Sequence, residues 1–161
     1  MGEKQELNYY FFAYDDYLYF KYVYSRGEIR NSMAAQAQNI CERFLKQIVS
    51  DKFKSNDKDS ADLKKTLLRT HSLSKLLTEI KRNTDIEVSS DLLMKLSAID
   101  GYYFTTRYPG DDSLLVTKEI LDMCNTAIDE CKAFTDKALE NDKSLCEDTL
   151  TRALKSMSGE W

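Results

Sequence analysis

The stretch SMAAQAQNICERFLKQIV, residues 32–49, decides how the rest of the chain is read. Met33, Ala34, Ala37, Ile40, Cys41, Phe44, Leu45, Ile48 and Val49 recur at the period of a helix with one apolar face. Gln36, Asn39, Arg43, Lys46 and Gln47 fall mostly off that stripe. The spacing predicts a helix over residues 31–53, capped by Asn31 or Ser32 and central to the core.

Working outward, residues 9–24 (YYFFAYDDYLYFKYVY) hold ten of the eighteen aromatics in the chain. Phe11, Tyr14, Leu18 and Tyr22 keep a helical period, as do Tyr10, Tyr17 and Tyr24. No turn residue divides the run before Ser25-Arg26-Gly27. The aromatics exceed one helix face. Tyrosine is amphipathic, so this helix is either core with wet hydroxyls or both core and dimer surface.

On the other side, KSNDKDSAD (residues 54–62) reads as a mobile loop. Asp62 is predicted to cap a short helix through Leu63, Leu67 and Leu68. Thr70 is predicted to cap the next, with Leu73, Leu76, Leu77 and Ile80 on one face. Ser89 or Ser90 starts another, through Leu92, Leu93, Leu96 and Ile99. That helix is expected to run on until Pro109-Gly110 stops it. The last long helix is expected after Asp112 or Ser113, with Asp111 and Asp112 as helix-capping carboxylates. Its seam is Leu114, Leu121, Cys124, Ile128, Cys131 and Ala138. A short helix is expected around residues 145–157, in a C-terminal extension spanning 141–161.

The expected fold is therefore all-α: an antiparallel up-and-down bundle of four to five helices with short accessory helices. At 161 residues it is read as one domain, 1–161. One proline and five glycines are too few for a sandwich or barrel built on tight turns. Hydrophobic residues at 42% and charged residues at 31% fit a globular protein rather than a disordered one. No apolar run approaches a membrane span and the N-terminus lacks a signal-peptide order, so a cytoplasmic protein without membrane association is expected.

The net charge of −4 supplies no global field for nucleic acid, although residues 63–82 are locally basic, with Lys64, Lys65, Arg69, Lys75, Lys81 and Arg82 against Glu79. This is either a solvated face or a phosphate-binding one. Phosphate would suit lysine, arginine and the free N–H groups of a helix start. His71 is the only histidine, so any histidine-dependent step must use it; the alternative is packing or capping at a helix start. The four cysteines, Cys41, Cys124, Cys131 and Cys146, show no metal-ligand spacing and are read as buried free thiols. No metal site, cofactor, phosphate loop or nucleophile elbow is predicted.

Three segments in order resemble the HEPN-domain family. In residues 32–49, Gln36, Ala37, Glu42 and Lys46 are similar to the family's second helix. THSLSKLL, with His71, Leu73, Leu76 and Leu77, resembles its His-x-Leu-x-x-Leu-Leu helix start. GYYFTTRYPGDD, with Tyr103, Arg107, Tyr108, Pro109 and Gly110, resembles the Arg-Tyr-Pro segment before its last long helix. The resemblance covers roughly residues 10–140. It implies a helical bundle that is commonly dimeric and related to the substrate-binding domains of minimal nucleotidyltransferases, with which many members are encoded as toxin–antitoxin pairs. Active members are metal-independent ribonucleases carrying an arginine, four to six intervening residues, then a histidine.

This chain departs from that motif. No histidine follows Arg107, and the positions that would hold the arginine ahead of His71 are Lys64, Lys65 and Thr66. The expectation is a non-catalytic module that binds nucleotide or RNA phosphate through Arg69, His71, Lys75, Tyr103, Arg107 and Tyr108. It would form a homodimer and work with a nucleotidyltransferase partner. The alternative is a divergent ribonuclease toxin with His71 as acid or base and Arg107 as electrophile, since metal-free RNA cleavage needs proton transfer and a cation for the developing charge.

Overall fold

The computed structural model describes residues 7–140. Among these residues the chain is all-helical: α1 (Tyr9–Ser25), α2 (Asn31–Lys52), α3 (Lys58–Leu67), α4 (Leu73–Asn83), α5 (Ser90–Ile99), the single turn α6 (Tyr102–Thr105) and α7 (Lys118–Ala138). The helical bundle expected from the sequence is present. Among the described residues no helix is long and apolar enough to cross a membrane.

The apolar stripe of α2 is buried along its whole length, and Ile40, Phe44, Leu45 and Ile48 are fully enclosed. Leu73, Leu76, Leu77 and Ile80 of α4, Leu92, Leu96 and Ile99 of α5, and Leu121, Cys124, Ile128 and Cys131 of α7 join it in one core. Cys41, Cys124 and Cys131 are buried free thiols. Burial pushes Cys124 up to about 12 and Cys41 well above its usual range, so both stay protonated and unreactive. Cys146 and the helix expected around 145–157 lie outside the described residues.

Helix α1 runs antiparallel to α7, and the two are laced by tyrosine–aspartate pairs. Tyr10 donates to Asp136 at 2.5 Å, Tyr17 to Asp129 at 2.6 Å, and Tyr24 to Asp122. Each step is seven residues on both helices, two turns, so the pairs repeat along one seam. Lys21 adds bonds to Asn125 and Asp129 at 2.6 and 2.9 Å. The surplus of aromatics in α1 thus has two destinations. Tyr10, Tyr14 and Phe20 are buried, while Phe12, Tyr19 and Tyr22 stand exposed on the outer face.

Several boundaries differ from the sequence reading. The cap position of α2 falls on Arg30, whose guanidinium cannot accept a backbone N–H, and Asn31 is the first residue inside the helix, with its amide used elsewhere. Asn31 donates to the Leu114 carbonyl at 2.8 Å and accepts from the Val116 N–H at 2.8 Å, pinning the segment before α7. Helix α3 begins within the expected loop, capped by Asp57 rather than Asp62: its carboxylate accepts from Ser60 N at 2.8 Å. Ser72, not Thr70, caps α4.

The α5 helix does not reach Pro109. It stops at Ile99, and Gly101 takes a left-handed φ of 97°, which a side chain would resist. Asp111 and Asp112 lie in an exposed loop. The cap of α7 is Thr117, so Leu114 precedes the helix instead of opening its seam.

Candidate phosphate site around Tyr103

A second ridge on α2 meets the site. Gln38, Glu42 and Lys46 lie one turn apart and all three are buried. Gln38 ties together two distant segments: its amide donates to the His71 carbonyl at 2.8 Å, and its carbonyl accepts from Tyr103 N at 2.8 Å. One Glu42 oxygen stands 3.2 Å from His71 Nδ1, and the other accepts from Lys46 at 2.6 Å. The buried carboxylate therefore has a cation and an imidazole as partners, as a desolvated charge requires.

His71 lies just before α4, with 58% of its side chain exposed above buried Glu42. Its ring stacks on Tyr103, 6.0 Å between centroids and 5° between planes. Arg107 lies against the same ring, its Cζ 4.6 Å from the centroid. The two residues that sequence spacing kept apart thus converge on Tyr103, which the α6 turn presents. A guanidinium over a tyrosine face is held by cation–π attraction while its N–H groups stay free for an acceptor. With Glu42 on Nδ1, the opposite nitrogen of His71 is left to serve ligand or proton.

Tyr108 is linked to the Tyr103 ring through Phe104, whose ring lies 5.1 Å from that of Tyr103. Tyr108 itself is exposed and its ring sits 6.4 Å from that of Phe104. Arg69 and Lys75 line a second cleft of about 490 Å³ with Asp62, Lys65, Thr66 and Thr70. Lys64 plays a structural role instead. It donates to the Ser50 and Phe53 carbonyls at 2.9 and 3.3 Å, satisfying the C-terminal end of α2.

The start of α4 is not the open anion site that the sequence suggested. Asp100 accepts there from Leu73 N and Ser74 N, both at 3.1 Å, and from Ser72 Oγ at 3.2 Å. An internal carboxylate already complements the helix dipole. Among the described residues no group of three or more His, Cys, Asp or Glu could hold a metal ion.

Sequence reasoning missed Gln38 as the organiser of the site. Its signal was the spacing Gln38, Glu42, Lys46, which puts three polar side chains on one line beside the apolar stripe.

Against known proteins, no curated protein and no solved structure matches the chain. The HEPN domain model matches residues 61–141, which include His71, Tyr103 and Arg107 and make up just over half of the sequence. The chain belongs to the HEPN domain family.

Proposed function

We propose that this protein is a non-catalytic nucleotide- or RNA-phosphate-binding module. The observation that carries this reading is the shared ring of Tyr103, with the His71 imidazole and the Arg107 guanidinium both against it. An exposed guanidinium, an exposed imidazole and an aromatic surface suit a phosphate with an attached base. Arg69 and Lys75 extend the positive surface on the neighbouring cleft.

In this reading the module also serves as an interaction partner. The outer face of α1 with Phe12 and Tyr22 joins two copies, in keeping with the dimers that the family resemblance implies. A minimal nucleotidyltransferase is the partner protein suggested by the family resemblance. Calorimetric titration with AMP, ATP and short single-stranded RNA tests the ligand. Heat of binding that Arg107→Ala removes supports the reading; no heat and an unchanged melting temperature at high ligand concentration sink it.

A second reading rests on the Glu42–His71 contact. A carboxylate on Nδ1 fixes the imidazole orientation and leaves the other nitrogen for proton transfer, the arrangement a general acid or base needs. In that case the protein is a metal-independent ribonuclease with Arg107 stabilising charge on the reacting phosphate. RNA cleavage in the presence of a chelator, lost in His71→Ala, is its signature. Cleavage that survives His71→Ala counts against it.

A further inference from the structure

Arg107 has a second environment. Besides touching Tyr103, it lines a cleft of about 490 Å³ between α1 and α2, together with Asp16, Tyr19, Glu28, Arg30, Gln36 and Asn39 among others. The charges in this cleft are unevenly matched. Asp16 is bound to Arg43, and Glu28 stands 3.9 Å from Arg26. Neither Arg30 nor Arg107 has a carboxylate partner among the described residues.

The polar walls are similarly unspent. Gln36 and Asn39 are half-buried on α2, one turn apart, and their amides have no hydrogen-bond partner among the described residues. Elsewhere on α2 the buried amides of Gln38 and Gln47 are fully engaged in bonds to the protein. Two unpaired guanidiniums and two unspent amides in one cleft offer what a nucleotide needs: cations for phosphate, and donor–acceptor pairs for a base edge.

We infer that the α1–α2 cleft is a second nucleotide subsite, continuous through Arg107 with the site at Tyr103. The ligand is then a single-stranded polynucleotide of at least two residues. One nucleotide stacks at Tyr103, Arg107 lies between the two subsites, Arg30 takes the next phosphate, and Gln36 and Asn39 meet the next base. This inference rests on the binding reading above and adds a length requirement to it.

The test compares AMP with the dinucleotide pApA on the full chain by calorimetry. The dinucleotide is expected to bind roughly tenfold tighter, the worth of one charge-assisted contact. Arg30→Ala combined with Asn39→Ala is expected to remove that gain and leave AMP binding unchanged. Tyr103→Ala is expected to weaken both ligands. Equal affinities for AMP and pApA, or a gain that survives the double variant, overturn the second subsite alone. Binding of neither ligand overturns the reading at Tyr103 as well. If the double variant melts early, Arg30→Glu alone gives the same readout, because this exposed side chain can be reversed in charge without disturbing the core.

Discussion

Glu42 stands 3.2 Å from the Nδ1 of His71, from a position on α2 where only 8% of its side chain is exposed. Its other oxygen binds Lys46, itself buried. Deleting one member leaves the other desolvated and alone, which costs about 3–5 kcal/mol. Glu42→Ala is expected to lower stability by that amount in urea unfolding. Replacing both, Glu42→Gln with Lys46→Met, is expected to recover most of the loss. A single variant as stable as the parent would falsify the buried pair.

Gln38, itself buried, ties the segment of His71 to that of Tyr103. Gln38→Leu removes two hydrogen bonds and strands the His71 carbonyl and the Tyr103 N–H. A loss of about 2–3 kcal/mol is expected, from two contacts of about 1 kcal/mol each and some desolvation. Nucleotide affinity should fall with it. Unchanged affinity in a correctly folded Gln38→Leu protein would show that His71 and Tyr103 keep their places unaided.

The tyrosine–aspartate lacing predicts an alkaline limit to stability. Burial first, then the bond to Asp129, raises Tyr17 above its usual range; for Tyr24 the bond to Asp122 comes first, then burial. Both pKa values are raised in the folded state, so the folded chain keeps protons that the unfolded chain releases. The sign follows: the contribution is complete below the unfolded tyrosine pKa of about 10 and declines as pH rises above it. Melting temperature should hold steady from neutral pH to about 10 and then drop. In Tyr17→Phe the drop should be shallower. Equal slopes in parent and variant would assign the alkaline loss to other groups.

The exposed face of α1 predicts association. Light scattering should give a dimer mass for the parent and a monomer mass for Phe12→Ser with Tyr22→Ser. A monomer mass at every parent concentration removes this role from α1.

Core substitution gives the reference scale. Phe44 is fully buried and meets the rings of Tyr10 and Tyr17 edge-on at 5.3 and 6.3 Å. Phe44→Ala should cost about 3–5 kcal/mol, measured by urea unfolding.

The long helices were legible because their apolar periods are uninterrupted. The stripe from Met33 to Val49 could be buried in only one way, and Leu73 to Ile80 likewise. The boundaries were less legible because several polar residues could cap each helix, and tertiary bonds chose among them. Asn31 is a good cap by type, but its amide serves the segment before α7. For the site, residue types pointed to His71 and Arg107, while their meeting depends on the turn at Gly101 that carries Tyr103 between them. Asp100 shows the opposite case: a helix start that looked open by sequence is closed by a carboxylate from a distant segment.

The pinning of the segment before α7 has a further consequence. Leu114 N bonds the Thr105 carbonyl at 2.7 Å, and Asn31 holds Leu114 and Val116 from the other side. Residues 107–113 are therefore a loop whose two feet are fastened independently of its tip. Pro109, Gly110, Asp111 and Asp112 are all exposed and support no core contact. Beyond Arg107, this tip is an exchangeable part. A short peptide tag or a reporter residue inserted between Gly110 and Asp111 would sit on the rim of the Tyr103 site while leaving the frame of the bundle intact.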